Sequence, residues 1–288
     1  MSDRTTSQTV WPRVGAMTHE ADFKRGEWQR LITTCRSYGL GAIQLGGPLL
    51  DEVLDDPQRI PVIRHQLEEH DIVIAGIAGY SNIISRNGAK LRASLDFLNR
   101  CLEIAPQLDI PVVATETGTY LADSDWKATP ANHTPEAWHT LTTTLSELLP
   151  VAEQHGSILA LEGYINNIIS SPERMQAILE QFPSPALQVV LDPFNYLSSS
   201  LLPHQEQFTA TFLRDFEQHF ALAHLKDVSS QGAEIDTPEF GQGVFTYALY
   251  FDFLRQRRPD LPLVLEHLSW DHIPGAIQQL HQLIETTP

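Results

Sequence analysis

The chain has 288 residues, of which 42% are hydrophobic, so it can bury the core of one large domain or of two average ones. Its 36 acidic residues exceed its 19 basic residues, which gives a formal charge of −17 at pH 7. This acidic excess argues against nucleic acid or an anionic membrane surface as a partner, because phosphate binding requires clustered Lys and Arg side chains.

The first residues and the cysteines indicate the compartment. Residues 1–9 are polar and lack the apolar segment of a signal peptide, and no apolar run approaches the roughly 20 residues that a membrane helix needs. Cys35 and Cys101 lie outside any C-x-x-C pair, which favours two reduced core thiols. We therefore expect a cytoplasmic protein with no membrane partner.

Apolar runs of strand length alternate with segments of helical periodicity along the chain. The predicted strands are residues 13–17, 42–45, 72–77, 110–115, 158–162, 187–192, 220–225 and 263–266. The predicted helices are residues 26–38, 57–70, 88–108, 134–155, 171–182, 204–219, 244–258 and 271–286. Helix starts carry recognisable signals, such as Thr134 as an N-cap followed by a proline.

This alternation predicts an α/β fold, a single (β/α)8 TIM barrel over residues 13–288, preceded by a flexible tail at residues 1–12. The strands are apolar on both faces, as buried parallel strands are. Links from helix to strand are short, whereas residues 46–56, 117–133 and 227–243 form long segments after strands. Long loops at the carboxyl ends of barrel strands build active sites. A doubly wound sheet is the alternative, but no G-x-G-x-x-G turn follows the first strand.

Four of the predicted strands carry a metal-binding type of residue at or near their carboxyl ends. These residues are Glu162, Asp192, His224 and Glu266, at separations of 30, 32 and 42 residues. A buried acid is costly unless it is paired or bound to a metal. Two Glu, one Asp and one His suit one divalent ion, and Mn, Co, Mg and Zn all remain open as its identity.

Three segments carry a resemblance to a known family. They are Leu191-Asp-Pro-Phe-Asn195, Ala223-His-Leu-Lys-Asp227 and Phe240-Gly-Gln-Gly243. They resemble the sugar phosphate isomerase/epimerase family of xylose isomerase-like TIM barrels, and the resemblance extends from Arg13 to Thr286. It implies a metal site at the ends of strands five to eight, which here fall on Glu162, Asp192, His224 and Glu266.

The resemblance also implies roles for the two glutamates. In the ketose 3-epimerase branch the residues that match Glu162 and Glu266 also transfer the proton. That branch has Asp-x-x-His where this chain has Asp192-Pro-Phe-Asn195, and an arginine shortly after the seventh-strand histidine, where this chain has Lys226-Asp227.

The chemistry of such a site favours an isomerase or epimerase that acts on a sugar, a cyclitol or a related hydroxy-carbonyl compound. A divalent ion can chelate two adjacent substrate oxygens and stabilise an enediolate, while Glu162 and Glu266 remove and return a proton. A lyase of the inosose or dehydroshikimate dehydratase type is the alternative on the same site. An endonuclease IV-like hydrolase is disfavoured by the acidic charge, and a catalytically silent barrel remains open. A homo-oligomer is compatible with the sequence.

Five further residues are candidates for contact with substrate: Glu116, Lys226, Asn195, Trp126 and Tyr164. Glu116 ends the fourth strand, and Lys226 lies two residues past His224, on the same side of the strand. A loop-capping role for Glu116 and a structural ion pair for Lys226 are equally compatible with the sequence. Asn195 is expected to orient Asp192.

The remaining candidates are weaker. Phe194, Tyr196 and Trp270 follow the ligands in loops, where ordinary packing is the favoured interpretation. His267 is predicted to point away from Glu266 and to serve packing. Residues 117–133 form a loop too long for a simple connection, and we expect it to lie over the metal as part of the pocket wall.

Overall fold

The apolar runs of the sequence form the strands of a closed barrel. In the computed structural model, which describes residues 11–19, 21–231 and 234–286, eight parallel strands of the described residues close into a barrel. They are β1 (Val14–Met17), β2 (Ala42–Leu45), β3 (Val73–Ala78), β4 (Val112–Glu116), β5 (Ile158–Glu162), β6 (Leu187–Leu191), β7 (Phe220–Leu225) and β10 (Leu263–Leu265). Strand β10 pairs with β7 on one side and closes the barrel onto β1 on the other. The predicted (β/α)8 barrel is confirmed.

Helices connect the strands around the outside of the barrel. They are α1 (Trp28–Tyr38), α2 (Gly47–Asp55), α3 (Ile60–Glu68), α4 (Gly88–Ile104), α5 (Pro135–His155), α6 (Pro172–Gln181), α7 (Gln205–Phe216), α8 (Ala248–Gln256) and α9 (Ile273–Thr286). The Thr134 side chain caps α5 by accepting from the Ala137 amide, as the sequence predicts. None of the described helices is long and apolar enough to cross a membrane.

Residues 46–56 are not the loop that the sequence analysis predicted. They contain α2, whose Leu49, Leu50, Val53 and Leu54 are buried, a spacing that places one apolar face against the barrel. The segment suggests a loop because it opens on two glycines and a proline, yet that proline lies at the first turn, where a helix tolerates it. Accordingly, the predicted second helix at 57–70 is shorter and begins at Ile60, after one turn of 3-10 helix.

The N-terminal boundary also differs from the prediction. Residues 1–10 of the predicted tail lie outside the described residues. The ring of Trp11 meets that of Phe251 edge to face at 5.7 Å, and Pro12 is buried. Among the described residues, Trp11 and Pro12 therefore pack against the barrel, although both belong to the predicted tail.

The interior of the barrel is lined by its own group of buried residues, most of them small or β-branched, which includes Ala160, Val190, Leu222 and Val264. Side chains alternate along a strand, so the residue two positions past each of these faces the same interior at its carboxyl end. Those positions are Glu162, Asp192, His224 and Glu266. The strand period thus brings four ligand-type side chains toward one axis.

The segment after β7 is organised by one buried carboxylate. It contains a hairpin of β8 (Ser229–Gln231) and β9 (Glu234–Asp236), followed by the Gly-Gln-Gly turn. The Asp227 carboxylate accepts hydrogen bonds from the amides of Val228, Gly241, Gly243 and Phe245. A Cβ atom on Gly243 would lie 2.1 Å from Asp227 Oδ1, so only glycine fits there. The His-Leu-Lys-Asp and Gly-x-Gly motifs are therefore two halves of one structural unit.

We expect Asp227→Ala to lower the free energy of unfolding by roughly 3 kcal/mol or more, because each buried donor left without an acceptor costs about 1–3 kcal/mol. Asp227→Asn retains one acceptor oxygen and should lose about half as much. Urea unfolding of the two variants and the parent protein measures both differences. A loss below about 1 kcal/mol in Asp227→Ala would show that water replaces the carboxylate at little cost.

Candidate metal centre

The four ligand-type side chains meet at the carboxyl end of the barrel. His224 Nδ1 lies 3.4 Å from Glu162 Oε2, 3.6 Å from Asp192 Oδ2 and 3.5 Å from Glu266 Oε2. One ligand atom from each of the four residues lies within 4.8 Å of the others. Glu162, Asp192 and His224 are almost fully buried, and Glu266 retains 11% exposure of its side chain. One His and three carboxylates therefore converge on a single point, as the strand spacing predicts.

The orientation of His224 suits a metal ligand. Its Nε2 lies 3.0 Å from Gln44 Oε1, and this amide oxygen can only accept a hydrogen bond. Nε2 therefore carries the proton in the neutral ring, which leaves a lone pair on Nδ1. Nδ1 is buried and has no hydrogen-bond partner among the described residues. Its lone pair is directed between three carboxylate oxygens, which is the donor set that a divalent cation requires.

An outer layer of polar side chains holds the carboxylates in place. Tyr80 Oη donates to Glu162 Oε2 at 2.8 Å, and Asn195 Nδ2 donates to Glu162 Oε1 at 2.5 Å. The sequence predicts that the Asn195 side chain orients Asp192, but the contact with Asp192 comes from the Asn195 backbone amide, which donates to Asp192 Oδ1 at 3.2 Å. Such outer contacts fix the direction of ligand lone pairs.

Lys226 contacts two of the ligand carboxylates directly. Its Nζ lies 2.8 Å from Asp192 Oδ2 and 2.7 Å from Glu266 Oε2, and its side chain is only 3% exposed. The structural ion pair that the sequence left open is therefore present. Burial opposes the charged form of Lys226, but the two carboxylates outweigh that effect and raise the pKa of its ammonium group.

Burial and neighbouring charges shift the pKa values of the four ligand-type residues in different directions. Burial and the carboxylates of Glu266 and Asp192 raise the pKa of Glu162 to about 7, although His224 partly offsets them. Burial acts in the same direction on Asp192 and Glu266, but Lys226 and His224 outweigh it and hold the pKa of each carboxyl below its ordinary value. Burial disfavours the charged form of His224, yet Glu266 and Glu162 raise its pKa well above the ordinary value.

Glu116 lies beside this cluster but is not part of it. It pairs in register with Glu162 across β4 and β5, and its Oε2 accepts a hydrogen bond from Asn167 Nδ2 at 2.5 Å. Burial and the nearby charge of Glu162 raise the pKa of Glu116 to about 8. Burial and the neighbouring charge therefore favour the protonated form of this carboxyl, which can donate a hydrogen bond toward the site.

Two cavities adjoin the cluster at the barrel mouth. A cavity of about 480 Å³ is lined by Tyr164, Asn195 and Lys226, among others. A second cavity of about 360 Å³ shares Ile165 and Asn166 with it and is otherwise lined by Asn167 and by five residues of the 117–133 loop: Ala128, Thr129, Pro130, Asn132 and His133. Part of this loop therefore forms a cavity wall, and its position over the metal stays a prediction. Trp126 is 42% exposed and lines neither cavity, so its contact with substrate stays a prediction.

The other aromatic candidates pack against the protein interior, which is the role that the sequence analysis favoured for them. Phe194 contacts Phe245 with ring centroids 4.4 Å apart, Tyr196 is 4% exposed, and the buried Trp270 donates from Nε1 to the Met17 carbonyl. The packing role of His267 is wrong. Just past β10 the backbone of His267 has a positive φ of 56°, so strand alternation no longer applies there, and the His267 side chain is 53% exposed with Nε2 3.6 Å from Glu266 Oε2.

Sequence reasoning missed Gln44, Tyr80 and Asn167. Gln44 is the one polar residue of β2 and is fully buried, and a buried amide in an apolar strand is a signal that it serves a partner. Tyr80 lies two residues past Ala78, so the strand period carries it to the same interior face. Asn167 lies in the β5–α6 loop, and no local pattern distinguishes it.

Solved structures of other proteins share the fold of this chain. The solved 3-keto-D-glucoside 4-epimerase YcjR from E. coli superposes with a TM-score of 0.72 at 14% identity, covering 95% of this chain and 99% of that chain. The probable 3-DHS dehydratase AsbF from Bacillus anthracis gives 0.72 at 14% identity, with 93% and 98% covered. A Mycobacterium smegmatis xylose isomerase-like TIM barrel protein in complex with magnesium gives 0.69 at 18% identity, with 96% and 97% covered.

These identities are low, so the solved structures establish a shared fold and no shared reaction. No curated protein matches the sequence. A family model described as xylose isomerase-like TIM barrel matches residues 32–286, which include every strand from β2 to β10 and all four ligand-type residues. The chain therefore belongs to the xylose isomerase-like TIM barrel family.

Proposed function

We propose that this protein is a divalent-metal-dependent isomerase or epimerase that acts on a sugar, a cyclitol or a related hydroxy-carbonyl compound. The observation that carries the proposal is the buried His224 Nδ1, which has no hydrogen-bond partner among the described residues and lies 3.4–3.6 Å from three carboxylate oxygens. A bound divalent ion would supply Lewis-acid stabilisation of negative charge on substrate oxygens. Glu162, Asp192, His224 and Glu266 would hold it.

Glu162 and Glu266 are assigned as the pair that moves protons. They stand on β5 and just after β10, and their pKa values are shifted apart, to about 7 for Glu162 and below the ordinary value for Glu266. Two carboxyl groups whose environments separate their pKa values can serve as acid and base in one reaction. A bound cation would favour the ionised form of both groups. Asp192 and His224 serve as ligands only.

The residues toward the larger cavity would contact substrate. Lys226, Asn195 and Tyr164 line that cavity, and Glu116 can offer a proton from beside Glu162. These groups would orient the hydroxyl groups next to the reacting carbon. A dehydratase could use the same groups, and the mass of the product separates the two reactions.

Elemental analysis of protein purified without chelator tests the metal centre, and mass spectrometry of the products tests the reaction. We expect about one equivalent of metal per chain after reconstitution with Mn, Co, Mg or Zn, and a product equal in mass to its substrate. Metal far below one equivalent with all four ions would overturn the metal centre. A product lighter by one water would identify a dehydratase.

Metal uptake should strengthen as pH rises. In the metal-free protein the pKa of His224 is well above its ordinary value and that of Glu162 is about 7. Below pH 7 both groups carry protons that a metal must displace, whereas Asp192 and Glu266 are already ionised. Each displaced proton changes the apparent affinity by about tenfold per pH unit. We expect a rise of more than tenfold from pH 6 to pH 7 on that basis, measured by calorimetry in buffers that differ in ionisation enthalpy. An affinity independent of pH would contradict the assignment.

A further inference from the structure

We infer that the substrate of this site is an uncharged polyhydroxy compound and not a sugar phosphate, an inference that rests on the proposed function. The cavity beside the metal centre, of about 480 Å³, lies within the volume range of small-ligand sites. Three features of the site argue for a neutral substrate. They are the polar groups that line the cavity, the ion pairs of Lys226 and the hydrogen bonds of the backbone amides in the loop after β7.

The lining of the cavity offers neutral polar groups almost throughout. Lys226 is the one cationic side chain among the described residues that line it. The other polar side chains that line it carry amides and hydroxyls and come from Tyr164, Asn166, Asn195, Ser198, Ser199 and Thr237. Residues 231–234 include neither Lys nor Arg in the sequence. Amides and hydroxyls both donate and accept hydrogen bonds, as the hydroxyl groups of a polyol do.

The one cationic side chain among the described residues of this lining, that of Lys226, already forms ion pairs with two carboxylates. Lys226 Nζ lies 2.8 Å from Asp192 Oδ2 and 2.7 Å from Glu266 Oε2. A phosphate group would have to draw the ammonium away from two carboxylates.

The backbone amides that could bind a phosphate are also occupied. Barrel enzymes frequently bind phosphate through the loops after the seventh and eighth strands. Here the amides of Gly241 and Gly243, in the loop after β7, donate to Asp227 Oδ2 at 3.0 and 2.8 Å. Asp227 is 1% exposed. A carboxylate of this chain therefore fills the anion position that these two glycine amides create.

Calorimetry with the Mn-loaded protein and matched pairs of compounds tests the inference. The pairs are D-fructose with D-fructose 6-phosphate, D-xylulose with D-xylulose 5-phosphate, and myo-inositol with myo-inositol 1-phosphate, and inorganic phosphate alone measures binding to the metal itself. We expect at least one neutral compound to bind at least about tenfold more tightly than its phosphate, a preference of about 1.4 kcal/mol. Tighter binding of the phosphates would overturn this inference alone. Metal uptake with no binding of any compound would overturn it together with the proposed function.

A variant designed to gain phosphate binding provides a second test of the inference. Ser199 lines the cavity, whereas its neighbour Ser200 is exposed and does not. Ser199→Arg places a free guanidinium at the cavity, and we expect it to strengthen binding of the sugar phosphates by about tenfold or more relative to Ser200→Arg, the scale of a charge-assisted hydrogen bond. Equal phosphate affinity in the two variants would overturn the claim that the lack of a free cation sets the preference.

Discussion

Replacing either glutamate of the proposed proton-transfer pair should nearly abolish turnover. Glu162→Gln and Glu266→Gln should each lower kcat by about a hundredfold or more at saturating metal, which is the usual scale for loss of a general acid or base. Glutamine keeps the shape of the side chain and one coordinating oxygen but cannot take up a proton. The metal content should therefore fall much less than kcat does.

The hydrogen-bond partners of Glu162 can accommodate its substitution by glutamine. Tyr80 Oη and Asn195 Nδ2 both donate to the Glu162 carboxylate. A glutamine oxygen at the Oε2 position can still accept from Tyr80 and face His224, while its amide nitrogen, at the Oε1 position, can donate to the Asn195 side-chain oxygen once the Asn195 amide turns over. Glu153→Gln is the matched control, because Glu153 is exposed near the end of α5 and its carboxylate accepts a hydrogen bond from Ser184 Oγ, far from the metal centre in the fold. It should leave both kcat and metal content unchanged.

Turnover in deuterium oxide distinguishes proton transfer from a hydride shift, which is the main alternative mechanism. A proton that passes through a carboxylate exchanges with solvent, so the product should carry deuterium at the reacting carbon. A product without deuterium, whose hydrogen has moved intact to the neighbouring carbon, would indicate a hydride shift. Glu162 and Glu266 would then act as metal ligands only.

The fold could be predicted almost completely from the sequence because each strand is a short apolar run and most helices carry start signals. The exception, α2, shows the limit of local signals. Gly46, Gly47 and Pro48 are typical of a loop, yet the apolar residues that follow them form one helical face. Burial of that face against the barrel outweighs the weak propensity of its first turn.

The four ligand-type residues could be predicted because strand alternation and the strand ends place them without reference to distant residues. Their partners could not be predicted in this way. Gln44 reaches His224 across 180 positions of sequence, and Tyr80 reaches Glu162 across 82. No local pattern relates such pairs, since only closure of the barrel brings β2 and β3 opposite β5 and β7. The contact of the Asn195 side chain with Glu162 needs only the pairing of the neighbouring strands β5 and β6.

Removing His224 should affect metal binding more than any other single change. His224→Ala deletes the one nitrogen ligand and leaves three carboxylates that Lys226 partly neutralises. We expect a loss of metal affinity well above the 10–100-fold that is typical of changes to the groups around a ligand, and excess metal should restore part of the activity.

The Gln44→Leu variant provides the graded comparison, because it removes the acceptor that fixes the proton on His224 Nε2 and keeps the ligand itself. Its loss of affinity should be about 10–100-fold, the range for such outer contacts. Metal titration followed by the melting temperature measures both variants, since bound metal stabilises the fold according to its concentration relative to Kd. If His224→Ala binds metal as tightly as the parent protein, the four residues do not form the metal centre. If Gln44→Leu loses as much affinity as His224→Ala, then the amide of Gln44 contributes more than the orientation of the ring, and a direct role at the cation follows.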